Sequence, residues 1–274
     1  MVNVPFAAAE SLQLVDVSAR AMDETILLPF AFDELYCRGA AQGWVPAVHI
    51  WRHNRAFVLG LRDRRLPFAE TAMRELTAQG YSVCVRNSGG AAVPLDPGVV
   101  NISAIIPKPQ AKADIRADFV EMAQLIRATV ARISGLAIKD GEVGGAYCPG
   151  EFDLSAAGKK FCGISQRRQI GAIVVQAFVN VEGDSGKRAE AVRHFYQTAS
   201  GKVPGEQEKS YPLVVKDMMA SLSEFDPAIT VDKFTVALIS VLQERIALSV
   251  KAYPPELKAK LGQTIQLLKE RYDR

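Results

Sequence analysis

The sequence is short of the residues that usually announce a metal site or a cross-linked scaffold. It has three histidines and four cysteines in 274 residues. Cys37, Cys84, Cys148 and Cys162 are widely spread, and no pair has C-x-x-C spacing. A disulfide framework is therefore not expected in a chain of this length, and free thiols are. Cys148 and Cys162 have no histidine or third cysteine between them, so the ligand count for zinc fails and no metal is expected. The apolar runs are short as well. The longest, such as "GAIVVQAFVNV", reach about half of the ~20 residues that a membrane helix needs. The N-terminal "MVNVPFAAAESLQLVDVS" lacks a basic region followed by a continuous apolar run, so a secretory signal is not expected. No block of Lys and Arg suggests nucleic-acid binding, and a net charge of +3 gives only a mild preference for acidic partners. These absences point to a cytoplasmic protein with neither membrane nor nucleic acid among its partners.

What is present is an ordinary globular composition, 49% hydrophobic and 23% charged with mixed signs. The length suits a single domain over 1–274, β-rich to about residue 185 and helical over 186–274. Residues 31–42 read as a helix, 47–53 and 56–61 as strands split at Asn54-Arg55, 66–80 as a helix ended by Gly80, and 81–86 and 99–107 as strands. Ile115, Phe119, Met122, Leu125, Ile126, Val130 and Ile133 recur at helical spacing across 113–134. "KKFCGISQRRQ" and "GAIVVQAFVNV" read as a hairpin turning at Ile170-Gly171, its second arm apolar enough for a central strand. Beyond Gly183 four helical stretches are expected, at 188–199, 213–224, 231–250 and 255–274. In the last, Leu257, Leu261, Ile265, Leu268 and Tyr272 form one core-facing stripe.

Chemistry concentrates in "GGAYCPGEFDLSAAGKKFCGIS", residues 144–165. Strand alternation puts Lys160, Cys162 and Ile164 on one face and Phe161 and Gly163 on the other. There Cys162 reads as a small buried hydrophobe. Cys148 has glycines on both sides and Pro149 after it, which rules out the interior of a regular element. A loop thiol near lysine charge is a setting for a reactive thiolate, although an inert cysteine fits the same residues. None of the histidines is near it in sequence to act as a base. His49 and His53 flank Trp51 on a face expected to be half-buried, and His194 falls on a helix. A second cluster, "VRNSGGAAVPLDPGVVNIS", sets an arginine, a Gly-Gly pair and an asparagine between two strands. Backbone N–H groups there can approach a carbonyl or phosphate, and a plain hairpin turn is equally compatible with the glycines alone.

The order of residues in that cluster adds more. Arg86-x-Ser88-Gly89-Gly90-x-Ala92-Val93, followed by Asp96, Gly98, Asn101 and Ser103, resembles the "RRxSGGGAVxHDxGNLNxS" segment of the lipoate–protein ligase and octanoyltransferase superfamily. "GKKFCGISQ" is similar to that family's "xxKIxGxxQ" element, with its lysine at Lys160. The resemblance covers residues 28–185. It departs at Leu95, where the family has histidine, and at Ala91, where it has a third glycine. "YCPGEFDLS" resembles the thiol-dependent amidotransferase branch of Gram-positive bacteria.

The resemblance implies an α+β fold, a biotin/lipoate-protein-ligase-like catalytic domain with a mixed sheet flanked by helices. It implies Cys148 as an acyl-thioester nucleophile and Lys160 as the cation that keeps its sulfur ionised. Arg86, Ser88, Gly89 and Gly90 would then line one wall of an acyl tunnel, with Asn101 beside them, Gly163 facing it and Val93 and Ile164 supplying apolar surface. The implied donor is octanoyl on a lysine of the glycine cleavage H protein. The implied acceptor is a lysine on the lipoyl domain of a 2-oxoacid dehydrogenase E2 subunit. Amide-to-amide exchange needs no ATP and no cofactor. Octanoyl transfer from acyl carrier protein, an ATP-dependent lipoate ligase and a binding module without turnover are the competing readings.

Overall fold

The structure, a computed structural model, describes residues 10–108, 115–201, 211–251, 253 and 255–272. Its centre is the hairpin of β9 (Lys159–Gln169) and β10 (Ala172–Asn180). Strand β10 is apolar on both faces and almost wholly buried, and it lies between β9 and β6 (Val99–Pro107) as an interior strand. The sheet continues outward through β2 (Ala47–Trp51), β1 (Ser11–Asp16) and β11 (Ala247–Val250) on one side. On the other it continues through β8 (Leu154–Ala156) and β7 (Ile138–Asp140). Strand β1 runs parallel to both neighbours, and all other pairs in this eight-stranded sheet are antiparallel. The fold is α+β with a mixed sheet flanked by helices.

Each face of the sheet has its own core. On one, α3 (Ile115–Ile133) and α6 (Val231–Gln243) pack together and bury Met122, Leu125, Ile126, Phe234 and Leu238 against β6 and β10. On the other lie α1 (Leu27–Ala40), covered by α7 (Pro255–Tyr272), and a second sheet. That sheet has β3 (Ala56–Leu59) in the middle, parallel to β4 (Ser82–Val85) and antiparallel to β5 (Val93–Leu95). Helices α2 (Ala69–Ala78) and α4 (Ser185–Ser200) back it. In α7 the expected stripe faces the core, with Leu257, Leu261 and Leu268 buried. Among the described residues no helix is long and apolar enough to cross a membrane.

The strands on either side of Asn54-Arg55 fall in different sheets, β2 in the large one and β3 in the small one. Two sequence expectations are corrected here. The stretch 213–224 is not one helix: extended segments alternate with one turn of 3-10 helix at Lys216–Met218 and a four-residue α5 (Leu222–Phe225). Tertiary pairing overrides helical pattern there: Val215 N donates to Gly145 O at 2.8 Å and Ala220 N to Lys160 O at 2.8 Å. Residues 247–250, expected to continue a helix, instead leave α6 and pair with the open edge of β1.

The hairpin also breaks strand alternation. Leu154 faces Cys162 while Ser155 faces Lys160, so Phe161 is left without a partner on β8. This one-residue bulge reorients what precedes it. Phe161 and Cys162 both enter the core under α3 and α6. Lys160 emerges on the opposite face, beside Gly163 and 5.4 Å from the centre of the Phe178 ring. Simple alternation had placed Lys160 with Cys162. Phe161 is fully buried, and Phe161→Ala is expected to cost about 3–5 kcal/mol. Denaturant titration should show a lower midpoint with the slope unchanged.

Candidate active site

Cys148 lies within the irregular loop between β7 and β8 and takes a left-handed backbone conformation, with φ of 48°. Such a conformation persists in a residue other than glycine only where its surroundings hold it. Here the holding is done by Lys160. Its ammonium is fully buried and donates to Tyr147 O at 3.1 Å, to Cys148 O, and to Asp153 Oδ2 at 2.7 Å. Each of its three protons thus has an acceptor. Asp153 also receives Gly150 N at 2.9 Å, which closes the turn after Cys148. Burial pushes the Asp153 carboxyl up to about 6, against the opposing pull of Lys160 and the Gly150 N–H.

The sulfur itself is approached from the other cluster. Arg86 Nη2 lies 3.2 Å from Cys148 Sγ, and Ala91 N lies 3.3 Å from it. The same Nη2 donates to Ala91 O at 2.8 Å, binding the guanidinium to the loop that supplies the second donor. Arg86 is buried, and among the described residues no ion pair joins it to a carboxylate. The cation against the sulfur is therefore Arg86, whereas Lys160, expected in that place, meets the carbonyl of Cys148.

Gly90 has to be glycine here. Its φ is 101°, and a Cβ would fall 2.2 Å from Arg86 Nη2 and 3.0 Å from Cys148 Sγ. The loop is tied down at both ends. Glu34 on α1 accepts from Asn87 Nδ2 and from Arg167 Nε, each at 3.0 Å. Ala92 N donates to the Tyr196 hydroxyl at 3.2 Å, and that hydroxyl donates to Asp63 Oδ1 at 2.8 Å.

Two spaces flank the Cys148 turn: Cys148 borders the inner one, and its neighbours Pro149, Gly90 and Ala91 border the outer one. The inner one lies between the sheets and is largely apolar. The cross-strand row Gly163, Phe178, Asn101 and Trp51 floors it, and Val58, Val93 and Leu95 face that row from the small sheet. A Cβ on Gly163 would stand 2.5 Å from the Phe178 ring. Arg86, Val93, Asn101, Gly163 and Ile164 border this space as expected, and so does Cys148; Ile164 also packs against the opposite core. Ser88, Gly89 and Gly90, expected on the same wall, line a separate outer cleft with Arg62, Asp63, Ala91, Pro149 and Tyr211. The Gly-rich loop is the partition between the two spaces, because its backbone turns outward after Arg86.

Sequence reasoning missed Asp153, Asp63, Tyr196 and the Glu34–Arg167 brace. Only Asp153 carried a local signal, three positions after the Pro-Gly turn. The histidines lie deeper than expected: His49 and His53 are fully buried. His49 Nδ1 pairs with Asp33 Oδ1 at 2.9 Å, and His53 Nε2 lies 2.9 Å from Glu24 O. Burial pushes the Cys162 thiol up, in the core that does not face the cavity. Among the described residues no group of three His, Cys, Asp or Glu side chains could hold a metal ion.

Comparison with known proteins places this geometry. Residues 25–243 match the lipoyl protein ligase A/B catalytic domain. The chain is 42% identical over 234 residues to the octanoyl-[GcvH]:protein N-octanoyltransferase of Anoxybacillus flavithermus, covering 82% of this chain and 83% of that relative. It is 43% identical over 217 residues to the protein of the same name from Geobacillus kaustophilus, covering 78% and 75%. Among solved structures, lipoate–protein ligase A bound with ATP superposes with a TM-score of 0.70 at 22% identity, over 97% of this chain and 96% of the other. This last likeness is one of fold.

The Lys160–Asp153 pair is buried on both sides, so removing one partner strands the other. Lys160→Met is expected to lower stability by about 3–5 kcal/mol, and Lys160→Met combined with Asp153→Leu to recover at least half of the loss. Urea unfolding of the three proteins measures this.

Proposed function

Since the chain belongs to the lipoyl protein ligase A/B catalytic domain family, we propose that it acts as an octanoyl-[GcvH]:protein N-octanoyltransferase, an acyltransferase of protein lipoylation. The observation that carries this reading is the sulfur of Cys148, met by two donors where it borders a largely apolar cavity, with the adjacent Pro149 on the outer cleft. The donor is octanoyl amide-linked to a lysine of the glycine cleavage H protein, and the acceptor is a lysine of an E2 lipoyl domain.

The eight-carbon chain occupies the inner cavity, where burial is worth ~0.8 kcal/mol per CH₂. The lysine that bears or receives it reaches the sulfur from the outer cleft. Cys148 attacks the amide carbonyl as thiolate, its charge held by Arg86 and the Ala91 N–H. A tetrahedral intermediate forms, and its oxyanion needs a donor. Arg86 Nε is a buried donor with no partner among the described residues, and Arg86 borders the cavity. That N–H is the group positioned to receive the developing charge. The C–N bond then breaks, the first lysine leaves, and the octanoyl group remains on Cys148 as a thioester. Attack by the second lysine restores the thiolate and forms the new amide. Lys160 acts in this scheme through the backbone, holding Cys148 in its left-handed conformation, with its own protons committed.

The test is direct. Wild-type protein incubated with octanoylated H protein should gain one octanoyl group on intact-mass analysis and pass it to an added lipoyl domain without ATP. Cys148→Ala should do neither. Transfer that requires ATP, or that survives Cys148→Ala, would instead favour a ligase without a covalent intermediate. Replacing the donor with octanoyl-acyl carrier protein should give slower transfer.

A further inference from the structure

The exchange of one lysine for another leaves a proton to be moved twice, and the mechanism so far names no group that moves it. The departing lysine must gain a proton as the C–N bond breaks, because an amide anion is too poor a leaving group. The arriving lysine, with an ordinary pKa of ~10.4, must lose one before it can attack. Lys160 has all three protons engaged, and Arg86 Nη2 is held against Ala91 O and the sulfur. The histidines of the cavity face are held in buried pairs away from the cleft.

Among the described residues, the outer cleft beside Pro149 and the Gly-rich loop holds one carboxyl, that of Asp63. It lies beneath the Gly-rich loop. Asp63 Oδ2 accepts Gly60 N at 2.7 Å, and a Cβ on Gly60 would touch both that oxygen, at 3.2 Å, and Gly90 O, at 2.0 Å. Gly90 in turn borders Cys148 Sγ. The other carboxyl oxygen receives the Tyr196 hydroxyl. Among the described residues the charged and titratable groups around it are few, with Tyr211 on the same cleft and stacked on Tyr196. Arg86 faces it from the end of β4, Tyr196 from α4, and Arg62, Arg64 and Arg65 belong to its own turn of 3-10 helix. The charged residues of α2, Glu70, Arg74 and Glu75, are exposed and turned to other partners. Asp63 is 3% accessible, and burial raises its carboxyl above the ordinary range against the opposing pull of the Gly60 N–H, Tyr196 and Arg86.

We propose that Asp63 is the acid and base of the transfer, alternating between its two protonation states once per turnover. As a neutral carboxyl it gives its proton to the amide nitrogen while the C–N bond breaks; the first lysine leaves as a neutral amine and takes a proton from solvent. As carboxylate it then takes a proton from the incoming ammonium. The free amine adds to the thioester, the adduct loses a proton to solvent, and the thiolate departs. The enzyme returns to thiolate and neutral carboxyl, and the ledger closes with no net proton change.

The proposal rests on the covalent reading above, and the test separates the two. Acylation of Cys148 is followed by mass with two donors: octanoylated H protein, whose amine must be protonated to leave, and octanoyl p-nitrophenyl ester, whose phenolate need not be. In Asp63→Asn, acylation by the amide donor is expected to fall by about 10²–10⁴-fold while the ester still acylates. Deacylation of the ester-loaded variant by a lipoyl domain should slow similarly. In the wild type, amide acylation should decline as pH rises through the carboxyl's titration, and deacylation should decline as pH falls through it. Tyr196→Phe removes a donor that favours the carboxylate, so both limbs should move to higher pH. Equal loss with both donors, or unshifted limbs in Tyr196→Phe, would overturn the role of Asp63. Absence of any Cys148 adduct in the wild type would overturn the covalent reading itself.

Discussion

A guanidinium buried without a carboxylate is costly, and the site is organised around how this protein meets that cost. Arg86 lies inside the fold, yet the nearest group able to carry negative charge against its Nη2 is the sulfur of Cys148. Buried charges persist when paired, and an isolated one carries a desolvation penalty of several kcal/mol. The group in direct contact with this arginine's Nη2, beside the loop carbonyl of Ala91, is that sulfur, which is why the proposed reaction is placed there.

Everything else keeps those two atoms together. Gly90 lets the guanidinium pass where a side chain would block it, and Ala91 adds a backbone donor on the same side. The bulge at Phe161 turns Lys160 through the sheet, so that a cation from β9 meets the carbonyls of the Cys148 turn. Asp153 neutralises that cation and closes the following turn with the same oxygen. The strap at 213–220 presses on both pieces, bonded to Gly145 on one side and Lys160 on the other. Two charged groups thus divide the work, Arg86 on the sulfur and Lys160 on the backbone that presents it.

Much of this was legible in the sequence, and the limits have physical causes. The β9–β10 hairpin, β6, α3 and the apolar stripe of α7 follow from periodicity, because each buries one regular face or both. Cys148, Arg86, Val93, Asn101, Gly163 and Ile164 were singled out from their motifs, and all of them border the inner cavity. The division of labour between Arg86 and Lys160 was not legible. It depends on one unpaired residue in β9, and a bulge inverts a face without leaving a mark on hydrophobic patterning. The separation of Ser88, Gly89 and Gly90 from the acyl chamber depends on the path of a loop. Asp63 and Tyr196 lie 133 positions apart, and only the packing of α4 beneath the small sheet brings them together. The segments 213–224 and 247–250 read as helical because their apolar residues suit either structure; pairing with β9 and β1 decided otherwise.

The central proposal, that Arg86 activates the Cys148 sulfur it touches, is open to a measurement that involves no carrier protein. The rate of alkylation by iodoacetamide at neutral pH can be mapped to each of the four cysteines by peptide mass spectrometry, in the wild type and in Arg86→Met. The account predicts that Cys148 reacts far ahead of Cys37, Cys84 and Cys162, and that Arg86→Met slows it by about tenfold or more. Alkylation of Cys148 at the same rate with and without the guanidinium would contradict it.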